Sequence, residues 1–107
     1  MSTTYSRVIL VVSLFIHPGR ESEFRQFETE ASRIMQKYGG RIERVIRSTA
    51  SAQPSFSPYE IHIVSFPSLE RFEAYRGDPD LAQLASLRQS AIARTEVIIG
   101  EEGEPYL

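Results

Sequence analysis

The sequence predicts an α+β domain built on one four-stranded antiparallel sheet. Segments with strand-like and helical periods follow one another in the order βαββαβ, and the first and third strands are the most apolar. That order is typical of the split-βαβ, or ferredoxin-like, arrangement, in which two helices cover one face of the sheet. The first and third strands are then expected at the centre of the sheet, with the second and fourth strands at its edges.

Length and composition predict a single cytoplasmic domain over residues 1–107, with a core at about residues 7–100 and a polar tail at 101–107. Of the 107 residues, 41% are hydrophobic and 24% are charged, and the formal net charge is −2, which favours neither nucleic acid nor an anionic membrane as a partner. The absence of Cys excludes disulfides and a thiol nucleophile. The N-terminus lacks the order of a signal peptide, and the apolar run Val8–Ile16 is too short to span a bilayer.

The first strand and the first helix give the clearest local signals. Residues Val8–Ile16 are apolar at both parities, with Ser13 as the single break, which indicates a strand covered on both sides. His17-Pro18-Gly19 then ends the strand. A helical period predicts a helix from about Arg20 to Tyr38, closed by Gly39-Gly40 as a left-handed stop. The apolar stripe of this helix consists of Phe24, Phe27, Ala31, Ile34, Met35 and Tyr38.

The middle of the chain predicts two strands joined by a loop. The charged segment Arg41–Arg47 predicts an edge strand, because charge discourages pairing with other chains. Residues Ser48–Pro58 are rich in Ser and Pro and predict an irregular loop. Residues Tyr59–Phe66 predict the third strand, which ends at Pro67.

An interrupted helix and a last strand are predicted after Pro67. Ser68 is a suitable N-cap for the first part of the helix. Gly77-Asp78-Pro79 interrupts it and restarts it, with Asp78 as the new N-cap and Pro79 at the first helical position. Residues Thr95–Ile99 predict the fourth strand, which is closed by Gly100.

The predicted sheet has a second apolar face that its own helices do not cover. The first strand carries apolar side chains at both parities, namely Val8, Leu10, Val12 and Leu14 on one face and Ile9, Val11 and Phe15 on the other. A large contiguous apolar patch in contact with water is unfavourable. We therefore expect a homodimer in which two copies pack sheet against sheet about a two-fold axis.

Segments near the end of the first helix and after the third strand carry a family resemblance. They are Lys37–Arg41, Phe66–Phe72, Tyr75–Leu81 and Leu87-Arg88. In these segments the chain resembles small proteins of the dimeric α+β barrel superfamily, distantly similar to antibiotic-biosynthesis-type monooxygenases. The resemblance spans about residues 8–100 and implies a ferredoxin-like protomer whose two sheets form a barrel in the dimer. The superfamily includes cofactor-independent monooxygenases, haem-degrading enzymes, muconolactone isomerase and proteins without known activity, so the fold does not determine the function.

Two positions depart from the pattern of these relatives. Ser65 stands where close relatives often carry an acidic residue, and a hydroxyl cannot replace a carboxylate as a base. The stretch Ala82–Leu87 contains no His, whereas the haem degraders of the superfamily carry a haem-ligating His in that region. The resemblance therefore disfavours haem chemistry, and we expect no cofactor.

His62 is the best candidate for a catalytic residue. It lies inside an apolar strand, where burial and neighbouring charges move the protonation of an imidazole across neutral pH. Strand parity places it on the same face as Glu60, a carboxylate suited to orient or charge it in an acid–base pair. The alternative is a structural role, in which a buried His62 forms a hydrogen bond to backbone or to a partner subunit.

The candidate ligand-binding residues are Ser13, Ser65, Tyr75 and Arg88. The Tyr75 hydroxyl suits a hydrogen bond to a ligand, and the Arg88 guanidinium suits a carboxylate or an enolate oxygen. Alternatively, Tyr75 fills the core between helix and sheet, and Arg88 pairs with a nearby acid. The two histidines, His17 and His62, are 45 positions apart without a carboxylate at ligand spacing, so no metal site is predicted.

These observations leave three functions open. The first is a cofactor-independent enzyme, resembling a monooxygenase or an isomerase, that acts on a small apolar oxygenated compound. The second is a non-catalytic homodimer that binds or senses a hydrophobic metabolite in the same cavity. The third is a purely structural dimer, in which side chains fill the cavity. An open cavity near His62 would favour the first two.

Overall fold

The four strands form one antiparallel sheet in the computed structural model, which describes residues 7–53 and 55–107. The strands are β1 (Val8–Ile16), β2 (Arg41–Arg47), β3 (Glu60–Phe66) and β4 (Ile92–Gly100). Their order across the sheet is β2-β3-β1-β4, with every neighbouring pair antiparallel. The two central strands are the ones that are apolar on both faces, so the predicted ferredoxin-like α+β fold is confirmed.

Four helical segments connect the strands. They are α1 (Glu21–Gln36), α2 (Leu69–Arg76), α3 (Pro79–Ala82) and α4 (Ala85–Ala91). The Ser68 hydroxyl accepts a hydrogen bond from the Arg71 backbone N–H at 3.1 Å, and the Asp78 carboxylate accepts one from the Asp80 backbone N–H at 2.7 Å. Both predicted N-caps are therefore confirmed, because each side chain satisfies a backbone donor that the helix leaves unpaired.

The element boundaries differ from the prediction in four places. Strand β3 begins at Glu60, one residue after the predicted Tyr59. The helix predicted from about Arg20 to Tyr38 is α-helical over Glu21–Gln36 and continues as a turn. A second break, at Gln83-Leu84, separates α3 from α4, with the Leu84 N–H bonded to the Leu81 carbonyl at 3.0 Å. Strand β4 begins at Ile92 instead of Thr95, because it pairs with β1 as far as Ile16.

Residues 48–53 and 55–58 of the predicted loop between β2 and β3 lie outside regular helix and strand, and Pro54 lies outside the described residues. Among the described residues, no helix is long and apolar enough to cross a membrane.

The core lies between the helices and one face of the sheet. One cluster of buried apolar side chains surrounds Phe66 and consists of Val8, Leu10, Met35, Val64, Phe66 and Phe72. A second cluster surrounds Phe24 and consists of Leu14, Phe24, Phe27, Ala31, Ala91 and Ile92. The β1 side chains in both clusters are those at even-numbered positions, such as Leu10 and Leu14. The side chains at odd-numbered positions of β1 therefore lie on the face without helices.

The glycine pair after α1 lets the chain pass close to the core. Gly39 has a φ of +78°, the left-handed conformation that ends helices, which confirms the predicted stop. Gly40 is buried, and a Cβ atom at this position would overlap with the side chains of Met35 and Phe66. The absence of a side chain at Gly40 therefore lets β2 begin directly against the first core cluster.

We expect Gly40→Ala to destabilise the fold by about 1–3 kcal/mol, because the added methyl group overpacks the core. Urea denaturation of the full chain measures the difference. Gly100→Ala is the matched control, since a Cβ there meets no atom within 4 Å. Equal stability of the two variants would contradict the close approach at Gly40.

Candidate functional site

A cavity of about 310 Å³ lies between the helices and the sheet. Apolar side chains form most of its wall, among them Leu10, Val12 and Leu14 of β1, Phe27 of α1 and Phe72 of α2. The polar side chains that line it are Glu28, His62, Tyr75, Arg76, Arg88 and Thr95. The structure thus brings together three of the predicted site residues, His62, Tyr75 and Arg88.

Four of these side chains reach the cavity from four different elements. His62 points from the central strand β3 toward the helices, and its register partner on β1 is Val12. Glu28 comes from α1, Tyr75 from the last turn of α2, and Arg88 from the middle of α4. The site therefore depends on the packing of α1, α2 and α4 against the sheet, and no single segment contains it.

His62 lies between two carboxylates. Its Nε2 atom is 2.8 Å from Glu60 Oε1, and its Nδ1 atom is 3.5 Å from Glu28 Oε1. The imidazole side chain is 5% exposed and packs near the Phe24 ring. The short Nε2 contact assigns the ring proton to Nε2, which donates it to Glu60, so Nδ1 is the atom that faces Glu28.

Glu60 is held as the ionised partner of His62. The Arg47 guanidinium forms an ion pair with it, in which Nε donates to Glu60 Oε2 at 3.0 Å and Nη2 donates to the same oxygen. Burial acts to raise the pKa of the Glu60 carboxyl, but the hydrogen bonds from His62 and Arg47 lower that pKa below its ordinary value. The predicted pairing of Glu60 with His62 is thus present, and Arg47 stabilises the ionised form of Glu60.

Glu28 has the opposite electrostatic character. Burial raises the pKa of its carboxyl above the ordinary value, positive charge on His62 would oppose that rise when the ring is protonated, the negative charge of Glu60 adds to the rise, and Arg88 opposes it. The side chain is 21% exposed. A carboxyl group that lines a cavity and has a raised pKa is a stronger base than an exposed carboxylate, so Glu28 is suited to take up a proton from a bound compound.

Sequence reasoning missed Glu28, although a signal was present. Phe24, Glu28, Ala31 and Met35 follow the helical spacing i, i+4, i+7 and i+11, so Glu28 lies within the apolar stripe of α1. An acidic residue inside a core-facing stripe costs free energy unless it is paired or protonated. Thr95 and Arg76 were also missed, and no pattern in the sequence distinguishes them from surface residues.

Tyr75 and Arg88 provide donors on the other side of the cavity. Burial, followed by the negative charge of Glu28, raises the pKa of the Tyr75 phenol to about 12, so this group remains a neutral hydrogen-bond donor. The Tyr75 ring also packs 5.5 Å from Phe66, so the residue fills part of the core as well. Arg88 Nη2 donates to Thr95 Oγ1 at 2.9 Å, which directs the guanidinium along the cavity wall.

Ser13 and Ser65 lie on the opposite face of the sheet from His62. Ser13 pairs with Ile61 and Ser65 pairs with Ile9, at the parity that points away from the helices. Ser65 Oγ donates to Glu43 Oε2 at 2.6 Å, and Ser13 is buried. The structure therefore separates these two residues from the cavity, because successive side chains of a strand point to opposite faces.

The cavity combines an acid–base pair with a fixed cation and a phenol. The pair is His62 and Glu28, the cation is Arg88 and the phenol is Tyr75. Within residues 7–53 and 55–107, no three His, Asp or Glu side chains converge to hold a metal ion. The arrangement is suited to remove a proton from a bound compound and to stabilise the negative charge that develops on its oxygen.

Solved structures with the same fold include proteins with and without known activities. A protein of unknown function from Rhodopseudomonas palustris matches with a TM-score of 0.80 at 12% identity, covering 95% of this chain and 86% of that one. SnoaB, a cofactor-independent oxygenase from Streptomyces nogalater, matches with a TM-score of 0.70 at 13% identity, covering 94% and 97%. A NIPSNAP-like domain protein from Burkholderia xenovorans matches with a TM-score of 0.67 at 18% identity, covering 97% and 93%. Identities this low establish the fold alone.

At the level of sequence, the chain matches one family. The pattern that defines the family described as "Domain of unknown function (DUF1330)" matches residues 10–102. A search of curated protein sequences finds no match. The family match covers most of the chain, and the solved structures confirm the ferredoxin-like fold that the predicted resemblance implied.

We expect Glu28→Gln to become more stable relative to the wild type as the pH rises. Below the ordinary carboxyl pKa of 4.5, Glu28 is protonated in both the folded and the unfolded chain. At a pH above 4.5, Glu28 loses its proton in the unfolded chain but keeps it in the folded chain, because its pKa is raised by folding. The stability of the wild-type fold therefore falls as the pH rises from 4.5 to the pKa of Glu28 in the folded chain. The Glu28→Gln variant does not lose this stability.

Thermal unfolding at pH 4 and at pH 8 measures the effect, which should appear as a rise of a few degrees in the Tm of the variant at pH 8 only. Glu30→Gln is the surface control, because the Glu30 side chain is 46% exposed on the same helix. A Glu28→Gln variant that is equally or less stable than the wild type at pH 8 would show that burial does not dominate the energetics of this carboxyl.

Proposed function

The chain belongs to the DUF1330 family, whose function is unknown, and we propose that it is an enzyme that works without a bound cofactor and removes a proton from a small, apolar, oxygenated compound. The single observation that carries this proposal is the meeting of His62, Glu28 and Arg88 on one cavity whose wall is mostly apolar. Neutral compounds with a carbonyl group or a phenol are the substrate class that fits these side chains.

The size and the lining of the cavity support this substrate class. A volume of about 310 Å³ suits a compound of one or two rings. The walls contributed by Leu10, Val12 and Phe27 favour an apolar body. Arg88 supplies the permanent positive charge for one oxygen, and the Tyr75 phenol supplies a second donor.

The proposed chemistry begins with the heterolytic cleavage of a C–H or O–H bond. The proton passes to the pair formed by Glu28 and His62, and the electron pair stays on the compound as an enolate or phenolate, whose oxygen Arg88 stabilises. In an isomerase the proton returns to a different carbon of the same compound. In an oxygenase the anion reacts with dioxygen, so that a CH₂ group and O₂ yield a C=O group and water.

The solved structures support only the compatibility of this chemistry with the fold. SnoaB is a cofactor-independent oxygenase and has the same fold at 13% identity. The assignment of proton transfer to this chain therefore depends on its own residues, His62 and Glu28, and not on that likeness.

The proposal is tested by proton exchange in D₂O, which needs no knowledge of the final product. Cyclic 1,3-diketones, β-keto esters and hydroxynaphthalenes are incubated with the full chain, and NMR follows the replacement of C–H by C–D while an oxygen electrode follows the consumption of dioxygen. We expect faster exchange for at least one class, reduced about 10²- to 10⁴-fold by His62→Gln and by Glu28→Gln, which is the usual contribution of a general base.

His17→Gln and Glu30→Gln are the matched controls, because neither residue lines the cavity, and both should leave the rate unchanged. Arg88→Gln should lower the rate through the loss of oxyanion stabilisation. Saturable binding of the same compounds without exchange or oxygen consumption would overturn the enzymatic proposal and would favour a non-catalytic binding or sensing module.

We also propose that the protein is a homodimer that packs sheet against sheet. On the face without helices, Ile63, Val11 and Ile98 are neighbours in register across three strands. Ile98 is 66% exposed in the single chain, and Ile46 also lies exposed on this face. Arg41, Glu43 and Glu96 border the apolar area with both signs of charge, which suits pairing with a second copy of the same surface.

Light scattering of the full chain should give twice the mass of one chain. We expect Ile98→Glu to shift the equilibrium toward the monomer, because it places a charge in the proposed interface. Leu69→Glu is the control, since Leu69 is 47% exposed but lies on α2, away from this face. A wild-type monomer, or a dimer that both variants leave intact, would contradict the proposed interface.

A further inference from the structure

A second concave surface, which we call the α1–β2 groove, lies behind His62. It runs between helix α1 and the edge strand β2 and is lined by Thr29, Ser32 and Gln36 of the helix and by Val45 and Arg47 of the strand. Glu60 also lines the groove but not the cavity. The groove is therefore polar along the helix and ends at the ion pair between Arg47 and Glu60.

The groove and the cavity share a thin wall. Glu28, Ile42 and His62 line both of them. The two shared polar residues are also the two members of the proposed acid–base pair, and the third shared residue is apolar. The side chains of Glu28 and His62 therefore offer a route for protons between the two spaces.

We propose that Glu28, His62 and Glu60 form a proton path that connects the cavity with solvent in the α1–β2 groove. This inference extends the proposed function, because it identifies where a proton taken from the bound compound leaves the protein. The path allows the acid–base pair to be reset while a ligand still fills the cavity and keeps water out of it.

Each transfer in the path has a defined donor and acceptor. The proton on Glu28 moves to His62 Nδ1, across a contact of 3.5 Å that has to shorten to a hydrogen bond. His62 Nε2 then releases its own proton to Glu60, across 2.8 Å. Glu60 passes that proton to water in the groove. The imidazole returns to its original tautomer when Nε2 accepts a proton from groove water through Glu60 and Nδ1 releases its proton to groove water, since His62 and Glu28 both line the groove.

The charges around the path favour release of the proton at its groove end. Arg47 of β2 stabilises negative charge on Glu60, so a proton that reaches Glu60 passes on to water, and Arg88 of α4 stabilises negative charge at the cavity end. Tyr75 of α2 faces Glu28 but stays protonated, so it does not compete for the proton. Arg47 acts as a positioning residue, because it holds Glu60 in place and does not touch the cavity.

The exchange of the His62 ring Cε1 hydrogen for deuterium, followed by mass spectrometry, tests the route, because this exchange requires solvent access to the imidazole. The chain has two histidines, and the exposed His17 provides an internal reference. Two tryptophan variants fill one space each: Ser32→Trp fills the groove, and Val97→Trp fills the cavity. Gln36→Trp is a second groove variant in case Ser32→Trp does not fold.

We expect the groove variants to slow exchange at His62 several-fold, while Val97→Trp leaves it near the wild-type rate and His17 is unchanged in all variants. Slower exchange in Val97→Trp alone, or no change in any variant, would overturn the route through the groove. Neither result bears on whether the wild-type chain exchanges the protons of bound compounds in D₂O. Failure of the route is therefore distinguishable from failure of the proposed function.

Long-range ¹H–¹⁵N NMR provides a second, independent measurement. The path requires that the proton of the neutral His62 ring is on Nε2, where it is donated to Glu60. A proton on Nδ1 instead would break the path, because Nδ1 could then not accept a proton from Glu28.

Discussion

The hydrogen bond between His62 and Glu60 depends on the alternation of side chains along the central strand β3. The same alternation constrains the whole molecule. Glu60, His62 and Val64 point toward the helices, while Ile61 and Ile63 point away from them. A shift of β3 by one residue would exchange the two sets and would place a carboxylate and an imidazole on the uncovered face. The core, the cavity and the apolar outer face therefore all depend on the same register.

Burial of a polar pair in this register is possible because each member finds a partner. Arg47 comes from the edge strand β2 and neutralises Glu60, and Glu28 comes from α1 and approaches the free side of His62. Without Arg47, the fold would hold an uncompensated buried carboxylate, which costs several kilocalories per mole. The same partners separate the pKa values of the two carboxyls, lowering that of Glu60 and raising that of Glu28. The contacts that stabilise these buried polar side chains are thus also suited to proton transfer.

The break in the second helix brings two of the cavity's side chains together. Asp78 caps α3 and also accepts a hydrogen bond from the Tyr38 hydroxyl, so the break is fixed against the end of α1. This change of direction carries Tyr75 before the break and Arg88 after it to one cavity. A continuous helix over these residues would separate them along its axis, since thirteen positions correspond to about 20 Å.

The sequence by itself determined the order of the elements, the central places of β1 and β3, the helix caps at Ser68 and Asp78, and the shared face of Glu60 and His62. These features depend on local propensity and on the side-chain period, which the sequence contains directly. The tertiary structure decided that Glu28 and Arg47 meet this pair and that Ser13 and Ser65 face away from the cavity. It also decided that space remains beside His62, because the packing of α1, α2 and α4 on the sheet brings distant residues together, and no local pattern records that packing.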